Sequence, residues 1–163
     1  MSAAPPPDLI DRLIDDWKRE RPNTEPDAMH VVGRIIRLAH IYEEDVSRML
    51  HDHGLAYSDF DVIATLRRSG APHELMPTQL QKSVLLSSGA MTACLRRLES
   101  AGLISREAGQ QDRRRLSAKL TTKGFDLVEK LIDQRFDIAR KSVTGLSATQ
   151  FATVTNLLRK LGS

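Results

Sequence analysis

Between Met76 and Leu120 the chain lays down two short helical stretches, a tight turn and two strand-length runs, and this succession restricts the fold more than any other feature. Met76-Pro77 begins the first stretch, with proline at the first helical position, where a missing N–H is harmless, and it runs to about Val84. After Leu85-Leu86, Ser87 or Ser88 caps a second, longer helix that carries Met91, Leu95 and Leu98 on one face and stops at Ala101-Gly102. Thr92, Arg96 and Arg97 fall on its outward side. Two helices joined in this way outline a helix-turn-helix. Leu103 to about Glu107 and Leu116 to Leu120 are strand-like and flank the polar turn Ala108 to Arg115, which reads as a two-stranded wing.

The rest of the chain is helical in period. Pro5, Pro6 and Pro7 stiffen a short leader, after which Leu9, Ile10, Leu13, Ile14 and Trp17 recur at helical spacing from Asp8 to about Glu20. Asp27 to His53 reads as one long helix ended by Gly54, with Met29, Val32, Ile36, Ala39, Val46 and Leu50 along its apolar face. At about 1.5 Å per residue such a helix is near 40 Å long, more than a small domain needs, and suits a scaffold or an interface. Ser58 looks like the N-cap of a third helix through about Ser69, with Phe60, Ile63, Ala64 and Leu66. Lys123 to about Val143 is helical again, and Ser147 caps a last helix with Phe151, Val154, Leu157, Leu158 and Leu161. The expected division is 1–26 for the leader and added helix and 27–57 for a dimerisation or scaffold helix. A winged helix-turn-helix lobe follows over 58–122, and C-terminal dimerisation helices over 123–163. The fold class is therefore mostly α, with a helical dimerisation region.

Composition narrows the function classes. With 163 residues, 40 % of them hydrophobic, the chain suffices for one domain or one domain plus an extra helix. A net charge of +3 is too small to name a partner, so the placement of the charges has to. The single Cys94 excludes an internal disulfide framework and a cysteine zinc site. No apolar run reaches a membrane span, and the N-terminus lacks the regions of a signal peptide, so a cytoplasmic protein without membrane contact is expected. His51-Asp-His53 is the one close histidine pair, and no further ligands cluster near it in sequence, so no metal and no cofactor are expected. There is no phosphate loop and no nucleophile elbow, and the chain is not expected to be an enzyme.

Double-stranded DNA is the partner that the wing and its helix suggest. Ser87, Ser88 and Thr92 offer hydroxyls at a helix N-terminus, and Gly89 allows close backbone approach. Arg96 and Arg97 suit phosphates or guanine edges, and Arg113, Arg114 and Arg115 at the wing tip suit phosphate or the minor groove. An arginine triplet by itself reads more simply as a solvated turn, and a helical scaffold without DNA binding is the plainer alternative for the long helices. Only the scaffold alternative leaves the basic wing without a purpose.

Four blocks carry a family resemblance: Leu86-Ser-Ser-Gly-Ala-Met-Thr92, Arg97-Leu-Glu-Ser-Ala-Gly-Leu103, Asp112-Arg-Arg114 and Leu120-Thr-Thr-Lys-Gly124. Together, over roughly residues 28 to 161, the chain resembles MarR-type transcriptional regulators. The resemblance implies a homodimer joined by its N- and C-terminal helices. It also implies a cytoplasmic repressor that binds a pseudo-palindromic operator and releases it for a small aromatic or phenolic ligand. Met76 stands where a capping threonine is common in that family.

Outside the core, Trp17, Asp61 in Phe60-Asp-Val-Ile-Ala-Thr-Leu66, and Arg106 in Leu103-Ile-Ser-Arg106 look like the urate-responsive branch, where a Trp, an Asp and two Arg surround the ligand. The position of the fourth, an arginine, is Cys94 here. Losing that guanidinium removes a bidentate anion partner and points away from urate toward an aromatic acid such as indole-3-acetate. Urate, another phenolic ligand, or redox sensing by Cys94 are the alternatives. Each residue also has a plainer role: Trp17 as an anchor for the added helix, Asp61 as the acid of a capping box begun by Ser58, Arg106 as a surface cation, Cys94 as a small buried hydrophobe.

Overall fold

The computed structural model describes residues 6–84, 86–108 and 116–162, which hold seven helices and three short strands. They fall into two compact units, residues 1–45 and 46–163.

In the first unit, helix α1 (Leu9–Glu20) begins with a reciprocal cap. The Asp8 carboxylate accepts from the N–H groups of Ile10 and Asp11 at 2.8 and 3.1 Å, and the Asp11 carboxylate accepts from the N–H of Asp8 at 2.8 Å. Helix α2 (Met29–His51) starts in this unit. Ile10 and Ile14 are buried, and a β-carbon on Gly33 of α2 would come within 3.2 Å of Ile10, so glycine lets the two helices approach. Arg34 secures the contact by reaching Asp8 at 3.0 Å and Asp11 at 2.7 Å. The Arg34 hydrogen bond is the main cause that lowers the Asp11 carboxyl to about 2. Leu9, Leu13 and Trp17, four residues apart on α1, are left exposed.

The second unit takes up α2 at Val46 and continues through α3 (Tyr57–Arg68), β1 (Glu74–Leu75), α4 (Pro77–Ser83) and α5 (Ser88–Ser100). It ends with β2 (Ile104–Ala108), β3 (Leu116–Leu120), α6 (Thr122–Ser142) and α7 (Ala148–Leu161). The sheet is antiparallel, in the order β1-β3-β2, with Ile104 opposite Leu120 and Arg106 opposite Ala118. Its core includes Leu50, Ile63, Leu66, Leu80, Leu95 and Leu131, all within 1 % of full burial. Side chains of this size contribute roughly 1.5–3 kcal/mol each on burial.

The start of α2 is Met29, two residues beyond the Asp27 read from the sequence, the start of α3 differs as well, and α4 starts at Pro77 as read. Helix α3 starts one residue before Ser58, with Ala56 as its N-cap residue. The acid that accepts the cap N–H is Asp59, at 3.0 Å, and not Asp61. At α4, Met76 brings no capping side chain, but Gln79 accepts its N–H at 2.8 Å, so half of the box survives the missing threonine. The strand β1 was not foreseen at all.

Where α5, β2 and α6 meet, the backbones nearly touch. The Thr121 hydroxyl donates to the carbonyl of Gly102 at 2.7 Å and accepts from the N–H of Gly124 at 3.0 Å, while Lys123 donates to the carbonyl of Ala101 at 2.8 Å. A β-carbon on Gly124 would fall 2.0 Å from the carbonyl oxygen of Leu103. Helix α3 is tied to α6 by Arg67, which lies 4.7 Å over the Phe125 ring and 2.6 Å from Glu129. Helix α7 buries none of its residues: Phe151, Val154, Leu157, Leu158 and Leu161 are all exposed.

Gly124→Ala should therefore destabilise the second unit by about 2 kcal/mol or more, since a backbone oxygen cannot rotate away, and urea unfolding will measure it. A second expectation concerns acid. The folded pKa of Asp11 lies below its ordinary value of 3.8, so its contribution to α1 docking is full above that value and is lost as pH falls toward about 2. Helical circular dichroism should fall over this window, and Asp11→Asn should make the signal lower at about pH 5 and flatter below it.

Candidate nucleic-acid interface

The candidate interface is built on α5, whose two faces have different chemistry. Ser87 is its N-cap, and the hydroxyl accepts from the N–H of Ala90 at 3.3 Å. Met91, Cys94, Leu95 and Leu98 turn into the core of the second unit. Ser88, Gly89, Thr92 and Arg96 lie on the exposed side, and the Thr92 hydroxyl donates back to the carbonyl of Ser88 at 3.0 Å. A β-carbon on Gly89 would meet nothing within 4 Å, so this turn of the helix is open to a close partner. Among the described residues Arg96 has no ion-pair partner and presents a free guanidinium. The exposed N-terminal half of α5 can thus offer hydroxyls, backbone N–H groups and one cation to a groove.

Arg97 behaves differently from Arg96. Its Nη2 lies 2.7 Å from Oδ1 of Asp59 and its Nε 3.3 Å from Oδ2, a two-pronged pair with a carboxylate on α3. Expected as a DNA contact, it is turned instead toward its own protein, because Asp59 is only 3 % exposed and a buried carboxylate needs a partner. Sequence reading missed Asp59. Its signal was the acid three residues after the true cap position, hidden by placing the helix start two residues late.

The strands β2 and β3 carry the wing. Arg113, Arg114 and Arg115 lie outside the described residues, as does the turn that holds them. At the wing's base, Arg106 sits on β2 with its side chain 25 % exposed, and its Nε lies 3.8 Å from Oε2 of Glu99 in the last turn of α5. Asp61 is half-buried on α3, and burial raises its carboxyl, opposed by the nearby charges of Arg68 and Arg135. Trp17, on α1 of the first unit, is 54 % exposed.

Cys94 is fully buried in the core, in keeping with its reading as a small buried hydrophobe, and its thiol reaches the carbonyl of Ser58 at 3.5 Å. Burial, with the Asp59 carboxylate beside it, pushes the thiol up to about 12. A thiol held protonated is a poor nucleophile, which counts against redox sensing in this conformation. Cys94 should resist alkylation by iodoacetamide at about pH 8 in the folded chain and react within minutes in concentrated urea; rapid labelling of the folded chain would contradict its placement. Among the described residues no group of His, Cys, Asp and Glu side chains could hold a metal ion. No helix among them is long and apolar enough to cross a membrane.

Known proteins share this arrangement. Residues 55–116 match the MarR family model. The HTH-type transcriptional regulator PecS of Dickeya dadantii is 27 % identical over 152 residues, spanning 93 % of this chain and 92 % of PecS. The structure of a mutant MarR from Escherichia coli complexed with operator DNA superposes with a TM-score of 0.67 at 25 % identity, covering 89 % of this chain and 96 % of that one. The fold is shared as well by Bordetella bronchiseptica BpsR, whose DNA binding is regulated by 6-hydroxynicotinic acid, with a TM-score of 0.70 at 23 % identity over 83 % of this chain and 95 % of that one. Residues 55–116 thus carry a MarR family domain, and the chain is similar over most of its length to DNA-binding transcriptional regulators of the winged helix-turn-helix kind.

Proposed function

We propose that the chain is a homodimeric repressor that reads a pseudo-palindromic operator and releases it on binding a small aromatic acid. The reading is carried by one observation: the N-terminal half of α5 is exposed and polar on one side and anchored in the core on the other, with a hairpin directly after it. Ser87, Ser88, Gly89 and Thr92 then face base edges, Arg96 takes a phosphate, and Arg113, Arg114 and Arg115 reach the backbone or the minor groove. The dimer is supported by α7, which leaves five large apolar side chains, Phe151, Val154, Leu157, Leu158 and Leu161, in water in a single chain. Two α5 helices in such a dimer would lie about 34 Å apart, one turn of DNA.

Arg106 is the proposed partner of the effector carboxylate, Asp61 the acceptor for a ring N–H, and Trp17 an aromatic face. An effector carboxylate would compete with Glu99 for Arg106, and Glu99 belongs to α5, so pairing at Arg106 bears on the helix that reads DNA. An aromatic acid of the indole-3-acetate type suits a single guanidinium better than urate does, since Cys94 brings no second cation. For a hundredfold release the effector must favour the non-binding state by about 2.7 kcal/mol per site.

Three measurements test this function. Leu157→Asp with Leu158→Asp should convert a dimer to monomers in sedimentation, and a wild-type chain that is monomeric at micromolar concentration would contradict the dimer. Removing Arg113 and Arg114 together should weaken all duplexes alike and flatten the salt dependence by about 0.9 per lost phosphate contact, whereas Ser88→Ala or Thr92→Ala should change preference among duplexes. Indole-3-acetate, salicylate or urate should alter Trp17 emission and weaken DNA binding over the same concentration range. Arg106→Ala should abolish that response in a folded dimer, and a full response in both Arg106→Ala and Trp17→Phe would refute the proposed effector residues.

A further inference from the structure

Within the second unit, the first turn of α3 grips the outer edge of α5 at two points one helical turn apart. Cys94 reaches the Ser58 carbonyl at 3.5 Å, and Arg97 places two nitrogens on the Asp59 carboxylate at 2.7 and 3.3 Å, with Nη2 also 3.5 Å from the Ser58 hydroxyl. Asp59 has a second duty, since it accepts the N–H of Ala56 at 3.0 Å and so caps α3. The pair is asymmetric: the carboxylate side chain is 4 % exposed and the guanidinium 51 %. A buried anion with an N–H fixed on it cannot follow a moving partner, so the planar fork of Arg97 is what must conform. Arg97 follows Arg96, whose guanidinium is free, and the two share a helix but not a task.

We propose that Asp59 and Arg97 are positioning residues for DNA reading: their pair sets the tilt and rotation of α5, and Arg97 makes no phosphate contact of its own. A small rotation of α5 about its axis would swing Ser88 and Thr92 away from base edges while leaving phosphate attraction nearly intact. The pair should thus act on selectivity more than on general affinity. This inference rests on the DNA-reading role of α5 proposed above.

The test uses the full chain, a duplex obtained by binding selection from a random library, and a scrambled duplex of equal length, with anisotropy read across a salt series well below the melting temperature. Asp59→Asn and Arg97→Gln should each weaken the selected duplex by about tenfold or more, change the scrambled one by under about threefold, and leave the salt slope as it is. The double variant should bind no worse than the weaker single variant, because the two residues act as one unit. Arg97→Lys keeps the charge on an exposed side chain and loses only the fork, and it should show the same loss of selectivity even where Asp59→Asn does not fold. Arg96→Gln gives the contrast: both duplexes weaken alike and the slope falls by about 0.9.

Three results would overturn the proposal. One is Arg97→Lys with wild-type selectivity, which would leave the pair a merely stabilising contact. Another is Arg97→Gln behaving like Arg96→Gln. The last is Asp59→Asn binding both duplexes more tightly with a steeper salt slope, which would mean that the carboxylate merely withholds a DNA-contacting arginine. A wild-type chain that fails to distinguish the two duplexes would remove the DNA reading itself, and is told apart because no variant is needed to see it.

Discussion

The second unit hangs on the point where the carbonyl oxygen of Leu103 occupies the space beside Gly124 that any side chain would need. Helix α5 ends, β2 begins and α6 begins close to it, and Thr121 and Lys123 take up the carbonyls of Gly102 and Ala101 just past the end of α5. An orphaned carbonyl at a helix end normally looks to water; here α6 supplies its donors. The C-terminal half of α5 is also held by α3, through the Asp59 carboxylate on Arg97 and the Ser58 carbonyl on Cys94. Helix α5 is therefore fixed by polar contacts over its C-terminal half and along its length by Met91, Leu95 and Leu98, and what remains outside is a polar strip at its N-terminal half.

Much of this was legible in the sequence, and the reason is local. Pro77, Ser87 and Ser147 announce helix starts through chemistry that acts within three residues, and each of these helices begins where that chemistry indicates. Apolar period gave Ile10 with Ile14, and Leu95 with Leu98, as inward positions. The failures involve partners distant in sequence. Glu74–Leu75 is a strand only because β3 offers it an edge, and two residues carry no period of their own.

The same limit explains the candidate site. A cap misplaced by two residues shifts the partner three positions on by the same two, which is why the plainer reading of Asp61 is a capping role that Asp59 performs. Arg96 and Arg97 are indistinguishable as letters, but one faces solvent and the other a buried carboxylate 38 positions away. Cys94 shows the opposite case: its place between apolar residues implied burial, and it is buried, while the family comparison alone suggested a ligand beside it.

The sheet order β1-β3-β2 puts β3 between two neighbours, and its register with β2 is set at the base, where Ile104 faces Leu120 and the N–H of Leu120 bonds the carbonyl of His73. β3 is thus held in register from both sides, by β2 along its length and by β1 at Ala118 and Lys119. A slip of β3 by one residue would break two pairings at once and turn Ala118 and Leu120 out of the core of the second unit. The base of the wing is in this sense part of the core rather than an appendage to it, since the pair that aligns the strands, Ile104 with Leu120, is buried there.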